Sequence, residues 1–260
     1  MTVLAADSIF YSAKCRLARA EEHFNDLKAR ITQFSSEKPY TRVCDPDPNG
    51  THEIYKLRLT KRFPFRWRIL ATEIIEHARA SLDHATWATA YARTRNANLE
   101  FGYFPFVRAP EFLDDRIKGL CKDCPPEIQT LLGSFEPYPG GKSDTLWVLN
   151  DLCNLSKHAL LTFIAKAVAT GTLSGTAFRG PIEFLEPMIL DPVKNEIPYL
   201  RVLKGTATDH NFEAAIYPLI EYRDLTSEES ATNVLGAFLD AAGLAVRDIE
   251  AESKRIGLVK

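Results

Sequence analysis

Across residues 66–93, a helical pattern runs through the apolar Trp67, Leu70, Ile74, Ile75, Leu82, Trp87 and Tyr91 and predicts a long, largely buried helix. A helix of that length has to bury its stripe against other elements, so the rest of the fold must be arranged along it. A second run, residues 145 to about 170, repeats the spacing through Leu146, Leu149, Leu152, Leu161, Ile164 and Val168 and predicts an antiparallel partner helix. A shorter amphipathic pattern covers residues 14–34, with Leu17, Ala20, Phe24, Leu27 and Ile31 on its apolar side.

β-Structure is expected in two places. Residues 40–60 read as a hairpin whose tip, 45–51, holds Pro46 and Pro48 out of the ladder. Segments 181–190, 196–205 and 212–222 are short, rich in branched and aromatic residues and separated by turn formers, which predicts a small antiparallel sheet. Pro125 and Pro126 open a short helix over 125–135, and a last helix is expected from Ser227 to about Ile249. The aromatic segment 99–112, with Phe101, Tyr103, Phe104, Phe106 and Phe112, is expected to seal one end of the core. The predicted class is α+β: a helical bundle around two long antiparallel helices, with an early β-hairpin and a small late antiparallel sheet. The corresponding organisation is a helical core over 1–170 with the hairpin inserted at about 40–60, then sheet plus C-terminal helix over 171–260, the two parts able to share one core.

The chain has 260 residues, 45% of them apolar and 25% charged, the balance of an ordinary globular protein. Lys plus Arg at 32 against Asp plus Glu at 34 leaves a net charge of -2, with no whole-chain footprint for a polyanion. The N-terminus lacks the pattern of an export signal, and no apolar run reaches membrane-spanning length, since Lys166 interrupts the greasiest one. A cytoplasmic protein without membrane contact is expected. The five cysteines are odd in number and unevenly spaced, as free thiols in a reducing compartment would be. Cys121 and Cys124 form a C-x-x-C with no second pair at zinc-finger spacing and read as two loop thiols.

Chemistry concentrates on the two long helical runs. Glu73, His77 and His84 share one face of the first, with Arg79 and Asp83 paired along a neighbouring stripe; Asp151, Asn154 and His158, flanked by Lys157, share a face of the second. If the helices turn these faces together, the groups must be hydrogen-bonded to one another or to a ligand. Three uses follow. Glu73, His77, His84, Asp151 and His158 are candidate ligands for a divalent metal, although there is no H-E-x-x-H. His84 or His158 can move a proton without metal while Arg79 or Lys157 offsets developing charge. Or the groups form a satisfied network that fixes helix packing. His23 and His52 carry less information, and His210 sits in a turn. Trp67, Trp87 and Trp147 are expected in the core rather than as stacking platforms.

The segments His77–Trp87 (H-A-R-A-S-L-D-H-A-T-W) and Leu146–His158 (L-W-V-L-N-D-L-C-N-L-S-K-H), after an early E-E-H-F-N-D-L-K-A-R-I, resemble a broad family of uncharacterised bacterial proteins carrying R-S-A-L-D-H and N-x-D-K-H-R motifs. The likeness spans most of the first 170 residues. This chain departs from it at Ala80, at Ser156 where the pattern has Asp, and at Ala159 where it has Arg, which removes two charges from any inherited mechanism. Arg79 and His84 also resemble the Arg-x(4 to 6)-His motif of HEPN helical bundles, many of which cut RNA without metal, and Arg16 with His23 matches the spacing as well. That resemblance implies a homodimer that cuts RNA without a metal through Arg79 and His84; Asp83 and His158, from the polar stripes, complete the catalytic candidates, and no cofactor is expected. The alternative is a non-enzymatic module that binds a ligand or metal through the polar network. Sequence 171–176 has no following Lys and is no P-loop but a turn, and neither a dinucleotide fingerprint nor a nucleophile elbow is present. The basic stretch 61–68 is open to phosphate contact or to solvation.

Overall fold

A computed structural model describes residues 9–96, 98–100, 102–158, 160–170, 181–206, 212–222 and 225–260. The N-terminal eight residues, Phe101, Ala159, the turn expected at 171–176 and His210 lie outside the described residues. Among the described residues no helix is long and apolar enough to cross a membrane. The fold is α+β, with long helices, an early antiparallel hairpin and a small late antiparallel sheet.

Two compact units divide the chain. The first comprises Met1–Asp26, Ile69–Leu160 and Thr232–Lys260. Its helices are the first part of α1 (Tyr11–Ser36), most of α2 (Arg66–Thr94), α3 (Leu113–Leu120), α4 (Pro126–Ser134), α5 (Asp144–Ser156) and α6 (Ala231–Arg255). Ile74, Ile75, Ala78, Leu82 and Ala85 bury the apolar stripe of α2 completely. Ser81, Thr86 and Thr89 are buried too, and their hydroxyls donate to the carbonyls of Ala78, Leu82 and Thr86. These small side chains satisfy their polar atoms on their own helix, which lets α2 be enclosed on more than its apolar face. In α6, Leu235, Phe238, Ala242, Val246 and Ile249 form the buried stripe. Lys14 Nζ of α1 donates to Glu250 Oε1 of α6 at 2.8 Å. Pro126 occupies the first turn of α4, where its missing N–H leaves no hydrogen bond unmade.

The second unit, Leu27–Arg68 and Leu161–Ala231, holds all the strands. β1 (Tyr40–Pro46) and β2 (His52–Leu59) pair as the expected hairpin, with Tyr40 opposite Leu59. β2 continues to β5 (Glu196–Leu203), and β5 to β4 (Ile182–Phe184), in the sheet order β1-β2-β5-β4. A second sheet orders β3 (Thr162–Ala169), β6 (Ala214–Tyr222) and β7 (Leu225–Ser230). Glu196 is buried at the start of β5 and accepts from Arg58 at 2.6 Å and Lys56 at 3.0 Å, which hold its carboxyl below the usual range. Phe34, Phe63 and Trp67 close this unit's aromatic cluster, with rings 5.0 to 5.3 Å apart.

Three expectations about elements need correction. The second long helix stops at Ser156, after 13 residues, and Thr162–Ala169 is a strand. There Leu161, Phe163, Ala165 and Ala167 are buried alternately, the period of a strand, and eight residues pair with β6. The long helices are instead α1, α2 and α6, of 26, 29 and 25 residues. The late strands do not form one sheet, because β4 and β5 extend the early hairpin. The last helix begins at Ala231, the preceding residues pairing with β6 as β7.

Candidate functional site

Within the helical unit a cavity of about 480 Å³ opens between the start of α1, the middle of α2 and the segment that follows α2. Ser12 comes from α1; Asp83, His84 and Trp87 from α2; Glu100 and Tyr103 from the following segment. One helical turn places Asp83 and Trp87 on the same side of α2, with His84 beside them. Gly102 brings the segment against the helix. Its φ is +139°, and an added Cβ would stand 3.0 Å from the Trp87 Cα, so both backbone conformation and space require glycine.

Asp83 fixes the same segment a second way, its Oδ1 accepting the Phe104 N–H at 3.0 Å. Its Oδ2 takes Arg79 Nη1. Arg79 Nε donates to Asn150 Oδ1 of α5 at 3.2 Å, and the guanidinium lies 5.5 Å from the centre of the Phe106 ring. Arg79 and Asp83 therefore clasp α2, α5 and residues 104–106 together. Burial pushes the Asp83 carboxyl up, against the opposing pull of Arg79 and the Phe104 N–H. Arg79 is not among the residues lining the cavity.

His84 Nδ1 shares a 2.6 Å hydrogen bond with Ser12 Oγ, and Nε2 has no partner among the described residues. Burial, and secondarily Arg16, push the imidazole below its ordinary value, so it is neutral near pH 7. Glu100 has no ion-pair partner among the described residues. Trp87 is 37% exposed and Tyr103 49% exposed, both on the cavity. The described lining contains two carboxyl groups, one imidazole and no Lys or Arg.

Arg79 and Asp83 are thus brought together, and Asp83 and His84 share the cavity. The other predicted residues go elsewhere. The Glu73 and His77 stripe meets α1 rather than α5: Arg16 Nη1 stands 3.2 Å from His77 Nδ1, His23 Nε2 stands 3.5 Å from Glu73 Oε2, and the His23 and His77 rings stack at 5.9 Å. Burial and the adjacent Arg16 push His77 down. His158 is exposed just beyond α5, and Asp151 lines a separate cavity with Asn150 and Asn154. Among the described residues no group of three or more His, Cys, Asp or Glu is placed to hold a metal ion.

Ser12, Glu100, Gly102 and Tyr103 carried no catalytic pattern in the sequence; a glycine inside an aromatic run was the available signal of a close approach. Tyr103 opens on the cavity instead of sealing the core. Trp67 is buried at 2% exposure as expected, whereas Trp87 and Trp147 both line cavities. Cys121 and Cys124 lie in the loop between α3 and α4, as expected, and both are buried. Thr89 Oγ1 donates to Cys124 Sγ at 3.3 Å, and Cys121 Sγ donates to the Tyr103 carbonyl at 3.3 Å. The Cys124 hydrogen bond, with burial, pushes the Cys121 thiol far up and keeps it protonated.

No family model matches the chain, and no curated protein and no solved structure is significantly similar to it.

Proposed function

We propose that this chain is a binding protein whose α2 cavity takes a small ligand carrying a cationic amine beside an aromatic or apolar portion. The observation that carries this reading is the unpaired Glu100 at the cavity, beside Tyr103 and Trp87, whose indole stacks on Tyr91 on one face, with no cationic side chain in the described lining. A volume of about 480 Å³ is in the range of small-molecule sites. Aromatic rings attract a cation, and Glu100, exposed at the cavity, supplies a carboxylate beside them. Asp83 contributes less charge, because Arg79 and the Phe104 N–H already satisfy it. Neutral His84 offers Nε2 as a hydrogen-bond partner. The five free thiols support placing the protein in a reducing compartment such as the cytoplasm.

Calorimetric titration with phenethylamine, and with phenylacetate as its anionic counterpart, tests the reading. Binding of the amine with a Kd below about 1 mM, weakened about tenfold by Glu100→Gln, is expected, with no binding of the acid. Equal affinity for both compounds, or for neither, overturns it.

The ribonuclease reading keeps one favourable observation: His84 opens on a cavity. It requires Arg79 to meet His84 of a second chain across a homodimer, yet Arg79 is occupied by Asp83, Asn150 and Phe106. The carboxylates of the cavity would also repel an RNA backbone. Incubation with mixed RNA in excess chelator decides it. Cleavage abolished by His84→Gln supports the nuclease, and intact RNA rejects it.

A further inference from the structure

On another side of the same helical unit lies a second cavity, of about 560 Å³, formed by α3, α5 and residues 106–112. Unlike the first, its described lining includes cationic side chains, two arginines beside two aspartates. Arg108 and Arg116 are exposed on its lining, and neither has an ion-pair or hydrogen-bond partner among the described residues. Two carboxylates line it as well: Asp115, 3.8 Å from the exposed Lys118, and Asp151, which is engaged in an interaction of its own. Trp147 is half-buried here, and Phe112 is 57% exposed, although both are large enough to favour full burial. Asn150 and Asn154 add amide groups, Asn150 being held in place by Arg79.

We infer that this second cavity binds a planar aromatic anion, a ring bearing a phosphate or similar group, with the ring against Trp147 and Phe112 and the anion between Arg108 and Arg116. Two unpaired guanidiniums present planar forks of donors that match phosphate oxygens. An indole and a phenyl ring at the same opening favour a flat ligand over a bare ion, because a ring covers both exposed faces. Asn150 and Asn154 are suited to read polar edges of the ring.

The test uses the full chain labelled with fluorotryptophan, whose three fluorine resonances are assigned with Trp147→Phe and Trp87→Phe. The probes are phenyl phosphate, inorganic phosphate and phenol. A saturable shift of the Trp147 resonance with phenyl phosphate, larger than with either half alone and weakened about tenfold in the Arg108→Gln/Arg116→Gln variant, supports the inference. Both arginines are exposed, so the variant is expected to keep the native spectrum. An unmoved Trp147 resonance, or the same affinity in wild type and double variant, overturns it. The Trp87 resonance reports the α2 cavity separately, so failure at one site is distinguishable from failure at the other.

Discussion

Arg79 holds Asp83, Asn150 and the Phe106 ring at once, and it is only partly exposed, so its removal acts first on folding. Arg79→Ala leaves the Asp83 carboxylate without its cation, and a loss on the order of 3 kcal/mol is expected in urea unfolding. Asp83 is already pushed up by burial, and without Arg79 it rises further; the folded state then holds a proton that the unfolded chain releases. The loss is therefore smaller at about pH 5 and larger at about pH 8, and a pH-independent loss would contradict the pairing. His84 acts in the opposite sense. Its folded value lies below the ordinary one of about 6.5, so its contribution to stability is complete above that pH and is lost as pH falls through the window toward the lowered value. Protonation also adds a positive charge to the α2 cavity. Phenethylamine affinity should thus fall as pH drops below about 6.5, and His84→Gln should flatten that dependence.

α2 was legible because its apolar pattern is helical over its length, and burial follows it from Trp67 to Leu82, whereas Trp87 turns onto a cavity. The hairpin was legible from its turn residues, although Pro46, expected outside the ladder, is the last residue of β1 and stands opposite Glu53. β3 was not. Leu161, Ile164 and Val168 fit a helix, while Leu161, Phe163, Ala165 and Ala167 fit a strand, and alanine and lysine favour the helix locally. Pairing with β6, more than 40 residues later in sequence, settles the choice, and no local pattern records it. The same limit applied to the site. The Arg79–Asp83 spacing showed a helical pair, but which helix meets Glu73 and His77 depends on packing of α1, so the expected face toward α5 was misplaced. Glu100 and Tyr103 joined the site through Gly102 and Asp83, contacts across an irregular segment that has no period to read. A lysine scan of β3 checks the strand: Ala165→Lys and Ala167→Lys should each cost about 2 kcal/mol or more, and Thr162→Lys and Val168→Lys less than about 0.5 kcal/mol. A helical periodicity in those losses would contradict the pairing with β6.

Across the whole molecule, a net charge of -2 accompanies two cavities whose charged linings differ. The α2 cavity carries an unpaired carboxylate and no described cation, and the cavity on α5 carries two unpaired guanidiniums beside Asp115 and Asp151. Each is lined by a tryptophan, Trp87 exposed and Trp147 half-buried, and the third, Trp67, is buried. This arrangement makes the three indoles independent reporters. Fluorine spectra of the labelled chain titrated with phenethylamine test the central claim most directly. The account predicts a saturable shift of the Trp87 resonance, abolished or much weakened by Glu100→Gln, with Trp67 and Trp147 unmoved. A Trp87 resonance that stays in place at saturating amine, or that moves equally in the Glu100→Gln protein, would contradict it.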